Sequence, residues 1–238
     1  MTHGPVPLRD AFATPDTRQH YVRRLFSTIA DRYDLITVVL SYGLDRRWKR
    51  HLAGLAGCGP HDRALDLACG TGDIAAELAA RGASVVGLDV TYRMLQLART
   101  KAPSIPFICG DMTSLPFRDA EFDIVSTGYG LRNVPDLPLA LREIYRVLRP
   151  GGTFLSLDFN RPQNAAVRRI YLAYLGIVGG ALGWILHRDP DTYRYIPASI
   201  ERYPGADGVV SLIRQEGFTG ARWTAVLGGL MAIHVARK

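Results

Sequence analysis

Leu65-Asp66-Leu67-Ala68-Cys69-Gly70-Thr71-Gly72-Asp73 is an apolar strand that runs into glycines and then into an acidic residue at the head of a helix. Gly70 and Gly72 let a ligand come close to the backbone, because neither carries a Cβ. On both sides of this stretch the pattern alternates. Strands are predicted at 64–68, 84–88, 105–109, 122–127 and 153–159, and helices at 73–81, 92–100 and 137–148. The last helix is expected to stop at Arg149-Pro150-Gly151-Gly152. Alternation at this spacing implies βαβ units, hence an α/β fold with a parallel sheet covered on both faces. Right-handed crossovers make it a Rossmann-like, doubly wound sheet.

The run Gly70-x-Gly72-x-x-Ala75 also satisfies a loose dinucleotide fingerprint, so charge must separate the ligands. A pyrophosphate at the helix N-terminus would meet Asp66 and Asp73, two carboxylates that repel it. The same carboxylates suit a phosphate-free ligand with two cationic centres, the sulfonium and ammonium of S-adenosylmethionine (SAM). Asp89, at the end of the next strand, would then take the ribose hydroxyls. Asp111, at the end of the third strand and beside Met112, would accept from the adenine amino group. Read as helix caps alone, Asp66 and Asp73 would leave Asp89 and Asp111 unexplained.

Outside the alternating region the chain is helical. Residues 21–40 read as an amphipathic helix with Tyr21, Leu25 and Ile29 on one face, and a second helix is expected at 48–55. Met1 to Thr17, rich in Pro and polar residues, is expected to be disordered, with no secretory signal. Residues 18–238 are expected to form one domain, with an N-terminal helical segment at 18–60 and a helical insertion at 164–205. The chain closes on a helix at 209–216 and an antiparallel hairpin, 221–226 and 231–236, at the sheet's edge.

The 238 residues carry a net charge of +7, with 47% hydrophobic and 21% charged residues, as in a globular protein that can bury a full core. Between Arg18 and His51 eight Lys and Arg residues face only Asp31, Asp34 and Asp45. Such a surface attracts nucleic acid or an anionic membrane. A nucleic-acid methyltransferase is disfavoured: there is no Asn/Asp-Pro-Pro-aromatic tetrad, and the basic block lacks interleaved aromatics. Cys58, Cys69 and Cys109 match no zinc or disulfide spacing, which points to reduced thiols in the cytoplasm and to no metal. The 17 residues from Ile170 to Leu186 carry no formal charge and lie between Arg168-Arg169 and His187-Arg188. They read as a helical flap in peripheral contact with an anionic membrane, too short for a comfortable span. Gly176, Gly179, Gly180 and Gly183 are placed for close helix packing. A homodimer is compatible with this reading.

From Tyr21 to the end, the sequence resembles the ubiquinone/menaquinone biosynthesis C-methyltransferase family. The resemblance is carried by Phe26–Leu35, by Leu40-Ser41-Tyr42-Gly43-Leu44 with Arg47-Trp48-Lys49, and by the glycine motif. Gly110-Asp111-Met112, Gly130-Leu131-Arg132-Asn133-Val134, Tyr193-Arg194-Tyr195 and Ala232-Ile233-His234 continue it. Two positions depart from the family: Thr37 stands where Asn is usual, and Gly128 where some members have Ser. The resemblance implies a class I SAM-dependent methyltransferase that methylates a ring carbon of a polyprenylated quinol, with demethylmenaquinol foremost. It also implies that Thr71, Asp89, Asp111 and Met112 contact SAM, near Gly128, and that Arg132 and Asn133 face the acceptor.

The chemistry sharpens those roles. A phenol ionises only near pH 10 in water, so the carbon nucleophile needs help at neutral pH. The Arg132 guanidinium is the first candidate to stabilise the oxyanion, with Asn133 as a second donor. Asp73, His234 and Tyr33 are weaker candidates for taking the proton, and His234 reads better as a hydrogen-bonded strand residue. A methyltransferase acting on another hydrophobic phenol, polyketide or sterol fits the same residues.

Overall fold

The computed structural model describes residues 7–238. Strands β1 (Arg63–Leu67), β2 (Ser84–Asp89), β3 (Phe107–Cys109), β4 (Phe122–Gly128) and β5 (Leu148–Phe159) lie parallel. Strands β6 (Thr219–Val226) and β7 (Met231–Arg237) form the expected hairpin. The sheet order is β3-β2-β1-β4-β5-β7-β6, with β7 antiparallel to β5 and β6 at the edge. Chain direction across the sheet reverses between β1 and β4. At such a switch point the crevice at the strands' carboxyl ends opens for a ligand. From Ala64 to Leu67 both faces of β1 are buried, so apolar residues are needed there, and Asp66 is the exception.

Helices α4 (Asp73–Ala79) and α5 (Tyr92–Lys101) pack on one face of the sheet, and α6 (Leu137–Val147) and α9 (Gly205–Gln215) on the other. The remaining helices are α1 (Pro15–Ile29), α2 (Tyr33–Leu40), α3 (Asp45–Leu55), α7 (Ala165–His187) and α8 (Asp191–Arg202). Val22, Leu25, Ile29 and Ile36 from α1 and α2 form a separate core with Tyr193 and Tyr195 of α8. The N-terminal segment and the insertion thus build one cap, although more than a hundred residues separate them in the chain.

Three expectations are corrected. Of the stretch expected to be disordered, residues 1–6 lie outside the described residues, but from Pro7 the chain is ordered. Thr14 and Thr17 form a capping box at the head of α1, and Phe12 stacks on Tyr195 with centroids 5.5 Å apart. The helix expected over 21–40 breaks at a 3-10 turn, Ala30–Arg32, which turns Tyr33 and Asp34 toward the glycine loop. Strand β5 begins at Leu148, earlier than expected, because Leu148 already pairs with Phe122 ahead of a register shift. Of the four glycines in α7, two allow close approach of α8 and of the turn that leads into it. A Cβ on Gly179 would lie 3.1 Å from that of Tyr193, and one on Gly183 2.4 Å from the Asp189 carbonyl oxygen. Gly176 faces open space.

Candidate functional site

Two clefts meet at the carboxyl ends of β1, β2 and β4. The first, about 710 Å³, is lined by Gly70, Asp89, Asp111, Met112, Gly128 and Asn133. Asp89 ends β2, where its Oδ2 accepts from Gly70 N (2.9 Å) and its Oδ1 from Thr91 N (2.7 Å). Each oxygen keeps a further lone pair. Burial pushes this carboxyl up, against the two backbone donors. Asp111 accepts from Thr113 N and Thr113 Oγ1, both at 2.8 Å, and from Gln19 Nε2 of α1. Gln19 was not foreseen: nothing near it in the sequence pairs it with Asp111. Asn133 donates from Nδ2 to the Tyr129 carbonyl (2.8 Å), while its buried Oδ1 has no partner among the described residues. Asn133 thus belongs to this cleft and not to the acceptor side, a correction to its expected placement.

The carboxylates of the glycine motif do other work. Asp66 Oδ1 accepts from Ser126 Oγ (2.8 Å) and its Oδ2 from Ala75 N (3.0 Å), so it ties β1 to β4 and to the first turn of α4. Burial pushes its carboxyl up to about 7. Asp73 pairs with Lys49 and Lys101, each at 2.9 Å. Burial opposes its charge, but the lysines outweigh that and hold it down at about 2. Neither carboxylate lines this first cleft, so the negative charge there comes from Asp89 and Asp111. Thr71 likewise turns away: its Oγ1 donates to Asp34 Oδ1 (2.8 Å) beside a smaller pocket. Gly72, at φ +84°, leads into α4 in the left-handed region, and a Cβ there would lie 3.0 Å from the Phe107 ring. At Gly128 a side chain would press on Ile74, with its Cβ 2.6 Å from Cδ1, which favours glycine at that position.

The second cleft, about 920 Å³, is enclosed by α1, α2, α7, α8 and the end of β5. Its walls are aromatic and aliphatic, among them Trp48, Phe159, Tyr171 and Tyr195. Among the described residues lining it, Arg132 is the only charged one. Arg132 is 4% exposed. Its Nε lies 3.3 Å from Asp158 Oδ1, its Nη1 donates to Ser199 Oγ (2.6 Å), and its guanidinium sits 5.0 Å from the Phe159 ring centroid. Asp158, on β5, is its partner. Asp136, the carboxylate nearest to it in sequence, instead caps α6 by accepting from Leu139 N. Tyr33, Phe26 and Tyr129 line both clefts and form their common wall.

His234 is buried in β7 between Ser156 Oγ (3.0 Å from Nδ1) and the Ala206 carbonyl (3.2 Å from Nε2). Nε2 therefore donates and Nδ1 accepts. Burial pushes it down to about 4, and it stays neutral as a strand residue away from both clefts.

Residues 14–238 match the model of the ubiE/COQ5 methyltransferase family. A demethylmenaquinone methyltransferase from Mycobacterium sp. (strain KMS) is 40% identical over 226 residues, covering 95% of this chain and 97% of that one. One from Streptomyces avermitilis is 36% identical over 222 residues, covering 93% and 96%. Among solved structures, a SAM-dependent methyltransferase from Thermotoga maritima, titled a possible histamine N-methyltransferase, superposes with a TM-score of 0.67 at 18% identity. It covers 91% of this chain and 99% of that one. An N-methyltransferase from Haemonchus contortus, in complex with S-adenosylhomocysteine, gives 0.61 at 14% identity, covering 81% and 52%. At these identities the structures speak for the fold.

Proposed function

The chain belongs to the ubiE/COQ5 methyltransferase family and is a SAM-dependent methyltransferase, and from that premise we propose that it methylates a ring carbon of demethylmenaquinol to give menaquinol. The observation that carries the acceptor is the aromatic cleft with one charged side chain, Arg132, joined to the acidic cleft across Tyr33 and Tyr129. A prenylated ring is apolar apart from its oxygens and matches that lining.

The residues fit SAM in the first cleft. The buried Asn133 Oδ1 lacks a donor among the described residues, and Asp89 and Asp111 present carboxylate oxygens where a phosphate would be repelled. Asp89 would take the ribose hydroxyls, and Asp111, beside Met112, the adenine amino group. Gly70 and Gly128 keep the floor open. SAM, when bound, supplies an electrophilic methyl group on a sulfonium. On the acceptor side the chain's own task is to orient the ring and stabilise its oxyanion. Arg132, fixed by Asp158 and Ser199, is a preorganised donor for that oxygen. The balance is one ring hydrogen replaced by a methyl group and one proton released.

Contact with a lipid surface belongs to the same proposal, since the prenyl chain partitions into membranes. Ile170, Ile177 and Trp184, spaced seven apart on α7, are 71%, 74% and 65% exposed. Tyr42, just past α2, and Tyr174 of α7, hydroxyls 2.5 Å apart, line the acceptor cleft. With Arg168 and Arg169 in its first turns and Arg188 at its C-terminal end, this helix suits the anionic cytoplasmic leaflet. The test of the activity is incubation with labelled SAM and reduced lipid extract, followed by mass spectrometry. Labelled menaquinol is the expected product. Label in a non-quinone phenol, polyketide or sterol alone would overturn the assignment.

A further inference from the structure

The proposed reaction releases a proton, and Arg132, a donor already paired with Asp158, does not take it. A different group of residues does have the means. Tyr129, at φ +59° after Gly128, stands in the wall between the two clefts. Its hydroxyl donates to Asp45 Oδ1 at 2.6 Å. Asp45 is buried at the head of α3, with Oδ2 2.6 Å from Lys49 Nζ. Lys49 is buried as well and donates to Asp73 Oδ2 at 2.9 Å. Asp73 Oδ1 accepts from Lys101 Nζ (2.9 Å), which also reaches Asp34 Oδ2 (2.6 Å). The side chains of Lys101 and Asp34 are nearly half exposed. An unbroken run of hydrogen bonds therefore leads from the acceptor wall to solvent.

A buried Asp–Lys pair is a weak source of stability, because desolvation offsets most of its attraction. Here it lies against the wall where the acceptor's oxygen must lose its proton. We propose that Asp45 is the base of the reaction, acting through the Tyr129 hydroxyl, and that Lys49 and Asp73 lead the proton out. This inference rests on the C-methylation reading above. In the first step the acceptor O–H breaks and its proton goes to Tyr129 Oη, while the Tyr129 proton passes to Asp45. The electron pair stays on the acceptor oxygen and is delocalised onto the ring carbon, which takes up the methyl group. The ring proton displaced from that carbon then returns to the oxygen and restores the aromatic quinol, so that one proton in all is released. In the second step Lys49 gives a proton to Asp73 and takes the one held by Asp45, and Asp73 releases its own to water.

The surroundings agree. Asp45 faces Lys49 on its own helix, Tyr33 from α2, Asp73 from α4 and Tyr129 from the end of β4, with Asp158 and Arg132 beyond. Burial and Asp45 push the Tyr129 hydroxyl well up, so it stays protonated and conducts, rather than acting as a base itself. Burial works against the Lys49 charge, but Tyr33, Asp45 and Asp73 outweigh it and hold the ammonium. Tyr33 is pushed up to about 12, first by burial, and does not compete for the proton.

Asp45→Asn and Tyr129→Phe test this in the full chain, the second keeping the ring beside Phe159. Each should lower turnover of demethylmenaquinol at neutral pH by about ten-fold or more, a deficit that shrinks as pH rises and the acceptor ionises unaided. S-adenosylhomocysteine affinity should not change. Independently of turnover, the absorbance of a prenylated naphthol bound to the S-adenosylhomocysteine complex reports its ionisation, whose midpoint should rise by about one pH unit or more in each variant. An equal deficit at every pH, or an unmoved naphthol midpoint, would overturn the proposal. If Asp45→Asn does not fold, Tyr129→Phe decides on the same readouts. A wild-type protein that ionises the naphthol but leaves demethylmenaquinol untouched would overturn the substrate assignment and leave the proton route standing.

Discussion

The cofactor cleft and the acceptor cleft share a wall but are made in different ways. The first is set by backbone: strand ends, a glycine turn, and carboxylates at the end of β2 and two residues past β3. The second is made of side chains that four helices, separated by more than a hundred residues, bring together over β5. A ligand with fixed charges and hydroxyls is recognised by the rigid half. On the proposed reading, the cap holds the apolar ring of the acceptor and its tail. Substitutions in one half should therefore leave the other half's ligand unaffected, and that separation can be tested.

The largest effect is expected at Asp89. Asp89→Ala removes the acceptors for the ribose and for the Gly70 and Thr91 amides. Charged hydrogen bonds contribute about 1.5–3 kcal/mol each, so calorimetry should show SAM affinity falling about ten-fold or more. Unchanged affinity in a folded variant would place the cofactor elsewhere. Arg132→Lys keeps charge but loses the planar fork that meets Asp158 and Ser199. Turnover should fall about ten-fold with SAM affinity unchanged, and wild-type turnover would remove Arg132 from the reaction.

Asp66→Asn sharpens the comparison from within the glycine motif. The folded carboxyl sits at about 7 against 3.8 for the free group, so its contribution to stability is fully present below pH 3.8 and lost as pH rises through 7. The amide can keep the bonds to Ser126 and Ala75 without a buried charge. Denaturation at pH 8 should show a gain on the order of 1 kcal/mol, with SAM affinity unaltered. Weaker SAM binding would return Asp66 to the site. The smallest effect is expected at the cap's outer face. Binding to anionic vesicles should fall with salt, and Trp184→Ala should weaken it severalfold without altering SAM affinity. Trp184→Ala with undiminished vesicle binding, or a dimer buried through α7, would turn that face over to another role.

The two halves also differed in how much of them could be read from sequence. Strand, glycine turn and carboxylate are local patterns, so Asp89, Asp111 and the parallel sheet were legible. Partners across the fold were not. Asp73 attracts Lys49 and Lys101, and Asp111 attracts Gln19, through contacts that no spacing announces. The break at Ala30–Arg32 was hidden because the apolar period continues through it. One signal for such a partner does stand in the sequence: Asp158 lies in the apolar run of β5, and a buried carboxylate in a strand calls for a partner. Arg132 is that partner.

On the proposed reading, an acceptor oxyanion drives carbon methylation across the shared wall. The oxidised quinone has no ionisable hydroxyl and an electron-poor ring, so it cannot take that route. An anaerobic assay of the full chain with SAM and demethylmenaquinone, with and without dithionite, tests this directly. Methylated product is expected only with the reductant, rising with pH until the bound quinol is ionised. Equal product from strictly oxidised quinone would contradict the account.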